Sequence, residues 1–303
     1  MKKTVLIFGI TSFVGSNLAE VLSQKYKVVG TYFTEREYLP QDYTMVRCDV
    51  LNKDEITKVV HFFRPDYVIY AVGESSLVKA KLSPKMSEAL NTNGALNCLT
   101  VSERAGALFI YLSSAYVFSG ENKLFKEADT PFSHTVYGTA VANTEFLIQR
   151  SSMHYLILRC PVLYGLGFST SKKNLFEIIQ ESHFEGKKVK LDNSVELGFL
   201  DIHLVGRFLM ALLDKGVLNR LLQITTKDYM TIYQFAQKYA DVFGQSKAFF
   251  EPVTDLFPQD AKHGGHLCFK MDISNTESRI GIMMPTIEET LEFTCKRLSE
   301  KSS

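Results

Sequence analysis

The N-terminal segment constrains this chain most: an apolar strand runs into a glycine turn and out into a helix. Thr4-Val5-Leu6-Ile7-Phe8 is β-branched and aromatic with no polar alternation, the pattern of a strand buried on both faces. Gly9 and Gly15 bracket the turn Gly9-Ile10-Thr11-Ser12-Phe13-Val14-Gly15, and Val14, Leu18, Val21 and Leu22 then fall at helical spacing. Val28-Val29 begins a second strand. Such a βαβ start places a helix N-terminus, with unpaired N–H groups and a positive dipole end, where a phosphate can bind. The expectation is a dinucleotide-binding chain. A flavodoxin-like α/β protein without a nucleotide would share the turn, so the turn does not decide alone.

The alternation continues. Met45–Cys48 reads as a strand, and Asn52 with Glu55 three residues on caps a helix to about Phe63. Tyr67–Ala71 is the next buried strand. Ser83-Pro84 opens a long helix to about Ala105, with serine as cap and proline in the first turn. Leu108–Leu112 is a strand stopping at Ser113-Ser114, followed by a helix from about Tyr137 to Arg150 and a strand over Tyr155–Leu158. Repeated β-α units predict a doubly wound parallel sheet of Rossmann type, with sites at the carboxyl ends of its strands. The regularity weakens after Pro161. Residues 1–160 therefore read as a dinucleotide-binding core completed by about 200–244, with 161–199 and 245–303 as a smaller α+β substrate lobe.

Charge and cysteine usage narrow the partners. A net charge of +1 without a long basic run leaves no electrostatic footprint for nucleic acid or an anionic membrane. Five scattered cysteines, with no Cys-x-x-Cys, point to reduced thiols in a cytoplasmic protein and to no zinc site. The apolar N-terminal run is too short for a membrane span or a signal peptide.

The residues expected to carry chemistry are Ser113 and Ser114, at a strand end, and Tyr137 at the start of the following helix. These features resemble the extended short-chain dehydrogenase/reductase family. The turn is similar to its Gly-x-x-Gly-x-x-Gly, with Ser12 at the middle glycine, and Ser114 and Tyr137 match its catalytic Ser and Tyr. Pro161-Val162-x-Tyr164-Gly165 resembles the segment lying along the nicotinamide, and Asn91 the helix asparagine. Asp49-Val50 resembles the adenine-binding pair, and Ala71-Val72-Gly73 the small-residue turn over the cofactor. Met271–Asn275 and Gly281–Pro285 are similar to the end of dTDP-4-dehydrorhamnose reductases. The resemblance implies cofactor contacts from Gly9, Thr11, Ser12, Phe13, Val14, Gly15, Thr31, Ser113, Pro161 and Val162, and a nucleotide-sugar substrate. Thr34 and Arg36, with no acidic residue ending the second strand, favour NADP(H), with NAD as the alternative. Gly167–Thr170, Asn174 and Asp192–Glu196 are candidate substrate contacts. A homodimer is expected by family habit.

One position departs from the pattern. Four residues after Tyr137 the family has lysine, and this chain has Val141. Without that cation a tyrosine stays near its reference pKa of about 10, so only on the order of one part in a thousand is ionised at neutral pH. Oxidation or epimerisation needs tyrosinate as base, whereas ketone reduction needs neutral tyrosine as proton donor. The expectation is a ketone reductase. The competing reading is a cofactor-binding sensor or regulatory subunit without turnover, and a scaffold without cofactor comes third. His134 and Lys126 are the nearby groups considered as a replacement charge.

Overall fold

A computed structural model of the chain describes residues 2–34, 43–167, 173–254, 256–257 and 267–302. Seven parallel strands form the central sheet: β1 (Thr4–Phe8), β2 (Lys27–Tyr32), β3 (Thr44–Arg47), β4 (Tyr67–Tyr70), β5 (Leu108–Ser114), β6 (Tyr155–Cys160) and β7 (Arg220–Gln223). Their order is β7-β6-β5-β4-β1-β2-β3, so the winding direction reverses between β1 and β4. Ligands of open α/β sheets bind at such a reversal, outside the carboxyl ends of the strands.

Strand pleating explains why both faces are apolar. Leu6 and Phe8 of β1 join one core, with Ile56, Val60, Leu99 and Val141 from helices α2 (Lys53–Phe63), α5 (Ala95–Arg104) and α6 (Val136–Gln149). Val5 and Ile7 join the other, with Leu18 and Leu22 of α1 (Phe13–Ser23) and Phe208 and Leu212 of α8 (Ile202–Asp214). The doubly wound Rossmann architecture expected from the alternation is therefore present.

Local signals fix the helix starts. Ser12 Oγ accepts from Gly15 N at 2.9 Å, and Asn52 Oδ1 from Asp54 N and Glu55 N at 3.0 and 3.3 Å. Glu55 closes the second cap by accepting from Asn52 Nδ2 at 3.1 Å. The long helix expected after Ser83 is not continuous. After α3 (Leu77–Leu82), it comprises α4 (Pro84–Glu88), a π-helical turn (Ala89–Gly94) and α5, and the Ser83 side chain makes no cap bond. The wider turn frees carbonyls, which are taken up from the sheet: Tyr70 donates to Leu90 O at 2.5 Å and Tyr111 to Asn91 O at 3.4 Å.

Past β6 the chain makes short parallel pairs: Val162–Tyr164 with Phe199–Asp201, Val189–Asp192 with Phe250–Val253, and Val195–Glu196 with Leu267–Cys268. Lys270–Met271 pairs with Leu124–Phe125, folding the C-terminal third over the loop that follows β5. The remaining helices are α7 (Leu175–Phe184), α9 (Ile232–Phe243), α10 (Ser274–Ile280) and α11 (Ile287–Ser302). A buried polar junction ties α11 to the body. Asp201 accepts from Thr294 Oγ1 at 2.6 Å and Arg297 Nη2 at 3.0 Å, while His203 Nε2 meets Asn17 Oδ1 of α1 at 3.0 Å. Among the described residues no helix is long and apolar enough to cross a membrane.

Candidate active site

The glycine turn is built for close backbone approach. Gly9 has φ +82°, and a Cβ there would lie 2.7 Å from Val72 Cγ2 and 2.8 Å from Ala71 O. A Cβ on Gly15 would overlap the Gly9 carbonyl, so α1 starts pressed against the end of β1. The N–H groups of Phe13 and Val14, in the first turn of α1, have no acceptor within the helix. Ser12 uses its oxygen to cap Gly15 and keeps its O–H as a donor. Thr31, buried at the end of β2, anchors the turn by accepting from Gly9 N at 3.2 Å and Ile10 N at 2.9 Å through its carbonyl. Gly9, Thr11 to Gly15, Thr31 and the Ala71-Val72 segment thus share one edge, beside the reversal point. That cradle fits a pyrophosphate.

Asn91 belongs to the next part of this edge. Its Oδ1 accepts from Glu74 N and its Nδ2 donates to Glu74 O, both at 3.2 Å, with a further bond from Nδ2 to Ser87 Oγ at 3.0 Å. A Cβ on Gly73 would overlap Asn91 Oδ1. The Asn91 amide therefore ties the loop after β4 to α4. Asp49 and Val50 follow β3: Asp49 N donates to Glu55 Oε2 at 2.8 Å, and Val50 is buried against Gly94. Pro161 and Val162 leave β6, with Val162 N bonded to Gly198 O at 3.1 Å. Thr34 is exposed just past β2, and Arg36 lies outside the described residues, as do Phe168, Ser169 and Thr170.

Ser114 and Tyr137 come together, although separated in sequence. Ser114 ends β5 and accepts from Tyr116 N at 3.2 Å, starting a 3-10 turn over Ala115–Val117. Thr135 caps α6 through Gly138 N at 2.9 Å, placing Tyr137 in the first helical turn. Gly138 lets that helix end press on the 3-10 turn, since a Cβ would overlap Tyr116 O and Ser133 Oγ. The result sets the Ser114 hydroxyl close enough to Tyr137 to lower its pKa. The surroundings are aromatic: Tyr116 lies 6.4 Å from Tyr137 edge-on, and Phe269 5.0 Å from Tyr116.

The Tyr137 hydroxyl is pushed up to about 12, chiefly by burial, with Ser114 opposing the shift and Cys160 and Glu74 adding to it. The value thus lies above the ordinary one expected, because burial disfavours tyrosinate beyond the loss of the family's cation. Burial, Ser114, Cys160 and Glu74 are what set the Tyr137 value. The His134 ring packs edge-on against Phe132 at 5.0 Å, and Lys126 acts on Asp272, helping to lower its carboxyl. Val141 is 2% exposed and belongs to the core.

One feature was not anticipated from the sequence. Arg159 of β6 and Glu145 of α6 form a buried pair, Nε to Oε1 at 2.9 Å and Nη2 to Oε2 at 2.7 Å. Ser113 donates to the same carboxylate, and the guanidinium lies 4.7 Å over the Phe118 ring. Ser113 is therefore occupied beneath the site, and the pair fixes the end of β5 against α6. An arginine inside an otherwise apolar strand was the available signal, since such a charge requires a buried partner. Of the candidate substrate contacts, Asn174 caps α7 in a reciprocal box with Glu177 and donates to Gly165 O at 2.9 Å, so it serves the loop. Asp192 accepts from Ser194 N at 2.8 Å and Val195 N at 3.1 Å, shaping its own turn.

Known proteins share this fold. The chain is 24% identical over 292 residues to methionine adenosyltransferase 2 subunit beta of Pongo abelii, covering 92% of this chain and 86% of that one. A UDP-glucose 4-epimerase of Thermotoga maritima, solved with UDP-glucose, superposes with a TM-score of 0.82 at 21% identity, covering 99% of this chain and all of the other. The dTDP-4-dehydrorhamnose reductase of Bacillus anthracis, in complex with NADP, gives 0.80 at 19% identity, covering 98% and 100%. These structures show a shared fold. The sequence profile of the RmlD substrate binding domain family matches residues 1–300, and the chain belongs to that family.

Proposed function

We propose that this protein is an NADPH-dependent reductase of a nucleotide-linked keto-sugar, of the 4-keto-6-deoxy type. The observation that carries the reading is Tyr137: set beside Ser114, edge-on to the Tyr116 ring, and held neutral by a pKa raised to about 12. Neutral tyrosine is the form that ketone reduction uses. The bound cofactor would supply hydride to the carbonyl carbon. Tyr137 Oη would donate its proton to the carbonyl oxygen, and Ser114 would donate a hydrogen bond to that oxygen as charge develops there. The turn from Gly9 to Gly15 would hold the pyrophosphate. The reading includes a cytoplasmic homodimer with a small-molecule substrate and neither nucleic acid nor membrane as partner. The solved reductase and epimerase of the same fold, with NADP and UDP-glucose, support the cofactor and substrate classes.

A second reading is favoured by Val141 and by relatives named as the beta subunit of a methionine adenosyltransferase. There the fold binds a nicotinamide cofactor and regulates a partner enzyme without turnover. Calorimetric titration with NADPH and NADH comes first, followed by keto-sugar assays on nicotinamide absorbance. The reductase reading expects NADPH binding, turnover, and loss of turnover with retained binding in Tyr137→Phe. Binding without turnover on any keto-sugar supports the regulatory reading, and no binding of either cofactor removes both.

A further inference from the structure

We propose that Arg47, at the carboxyl end of β3, is the cation that receives the 2′-phosphate of NADP(H) and sets the cofactor preference. The inference rests on the cofactor reading above and assigns the preference to one residue. In a Rossmann sheet the adenosine ribose lies beyond the end of the second strand, and the charge of the residue facing it selects between a hydroxyl and a phosphate. Here β2 ends at Tyr32, and its end is fixed on both sides. Thr31 O takes Gly9 N and Ile10 N from the glycine turn, while Cys48 N, just past β3, donates to Tyr32 O at 2.8 Å. The register pairs Tyr32 with Arg47, so Arg47 is placed beside the strand end by the sheet itself.

Phe33, the next residue, is 56% exposed, which is unusual for a phenylalanine at a strand end. The Arg47 guanidinium stacks over its ring at 5.2 Å from the centroid. Stacking orients a planar guanidinium and leaves its N–H edge free for oxyanions, a geometry suited to phosphate. The described carboxylates nearby are directed elsewhere. Asp49 Oδ1 accepts from Leu51 N at 2.9 Å, and Glu55 accepts from Asp49 N and Asn52 Nδ2. Among the described residues no carboxylate forms an ion pair with Arg47. Thr34 follows Phe33 and adds a hydroxyl at the same exposed edge.

The test measures NADPH, NADH and 2′,5′-ADP binding by calorimetry for the wild type, Arg47→Ala, Arg47→Lys and Arg36→Ala. The expected result is a wild-type preference for NADPH that Arg47→Ala abolishes. NADPH and 2′,5′-ADP should weaken about 10- to 100-fold, the range for a charge-assisted phosphate contact, while NADH affinity, which involves no 2′-phosphate, stays within about twofold. Retained NADH binding also shows that the variant is folded. Arg47→Lys should recover only part, since an ammonium keeps the charge without the stacked fork. A wild-type preference that survives Arg47→Ala, and falls in Arg36→Ala, overturns the assignment while leaving the cofactor reading intact. A wild type that binds the two cofactors equally, or binds neither, overturns both, and that result is visible before any variant is made.

Discussion

Replacing Val141 with lysine tests whether the missing cation, and not some other feature of the site, keeps Tyr137 neutral. Residues four apart on a helix have Cβ atoms about 5–6 Å from each other, so a lysine at 141 reaches the face that carries Tyr137. At about 6 Å and an effective dielectric of about 20, an ammonium favours tyrosinate by about 3 kcal/mol, or about two pH units. Tyr137 should fall from about 12 towards the ordinary tyrosine value. Wild-type tyrosinate at pH 7 is on the order of one part in 10⁵, so the variant gains about 100-fold in the ionised form. Alcohol oxidation, which uses that form, should rise by a similar factor, whereas ketone reduction should change little. The titration is read as tyrosinate absorbance, taking the wild type against Tyr137→Phe and Val141→Lys against the same double variant, so it needs no substrate. Val141 is almost fully buried, and the variant should also unfold at lower denaturant. If wild-type Tyr137 titrates at or below about 10, burial does not govern it and the proton-donor argument fails. If it stays near 12 beside a charged lysine, the missing cation is irrelevant to the site.

Other substitutions probe the supporting structure. Gly138→Ala puts a methyl into the Tyr116 carbonyl and should cost at least about 1–3 kcal/mol in urea unfolding, because both partners are held by their own elements. Arg159→Met strands the buried Glu145 carboxylate and should cost about 3–5 kcal/mol, with the double variant Arg159→Met/Glu145→Gln recovering most of it; equal losses in single and double variants would contradict an ion-pair origin. Burial, then Arg297, holds His203 below its ordinary value of 6.5, so the unfolded chain binds this proton first and stability should decline as pH drops below 6.5. Urea midpoints measured across that range should lose part of their slope in His203→Gln, and an unchanged slope would assign it to other groups.

Most of the fold was legible because it rests on local rules. The strands and the cap at Asn52 follow from short apolar runs and from a side chain that satisfies neighbouring amides, whereas the serine cap expected at Ser83 makes no bond. The π-helical turn was not legible, because nothing within Ala89–Gly94 requires it; the hydroxyls that compensate it belong to Tyr70 and Tyr111, two strands of the sheet. For the same reason Asn91 could be located but its action could not. Its amide holds Glu74, a contact that exists only after β4 and the long helix have packed.

The site shows the same division more sharply. Ser114 and Tyr137 could be picked out by spacing, yet the property that decides what Tyr137 can do comes from Tyr116 and the aromatic residues behind it, which the C-terminal third of the chain brings in. Tyr137, Val141 and Glu145 follow one another at four-residue steps along α6, and each meets a different environment: an aromatic wall, the apolar core, and Arg159 with Ser113. The charge that the family places at the middle position is absent here, but the buried pair one turn further on remains. That pair holds β5 to α6 whether or not Tyr137 ever ionises. Loss of the lysine therefore alters the proton chemistry of the site without loosening its frame, and the difference between a one-directional reductase and a binding subunit lies in turnover, not in the fold.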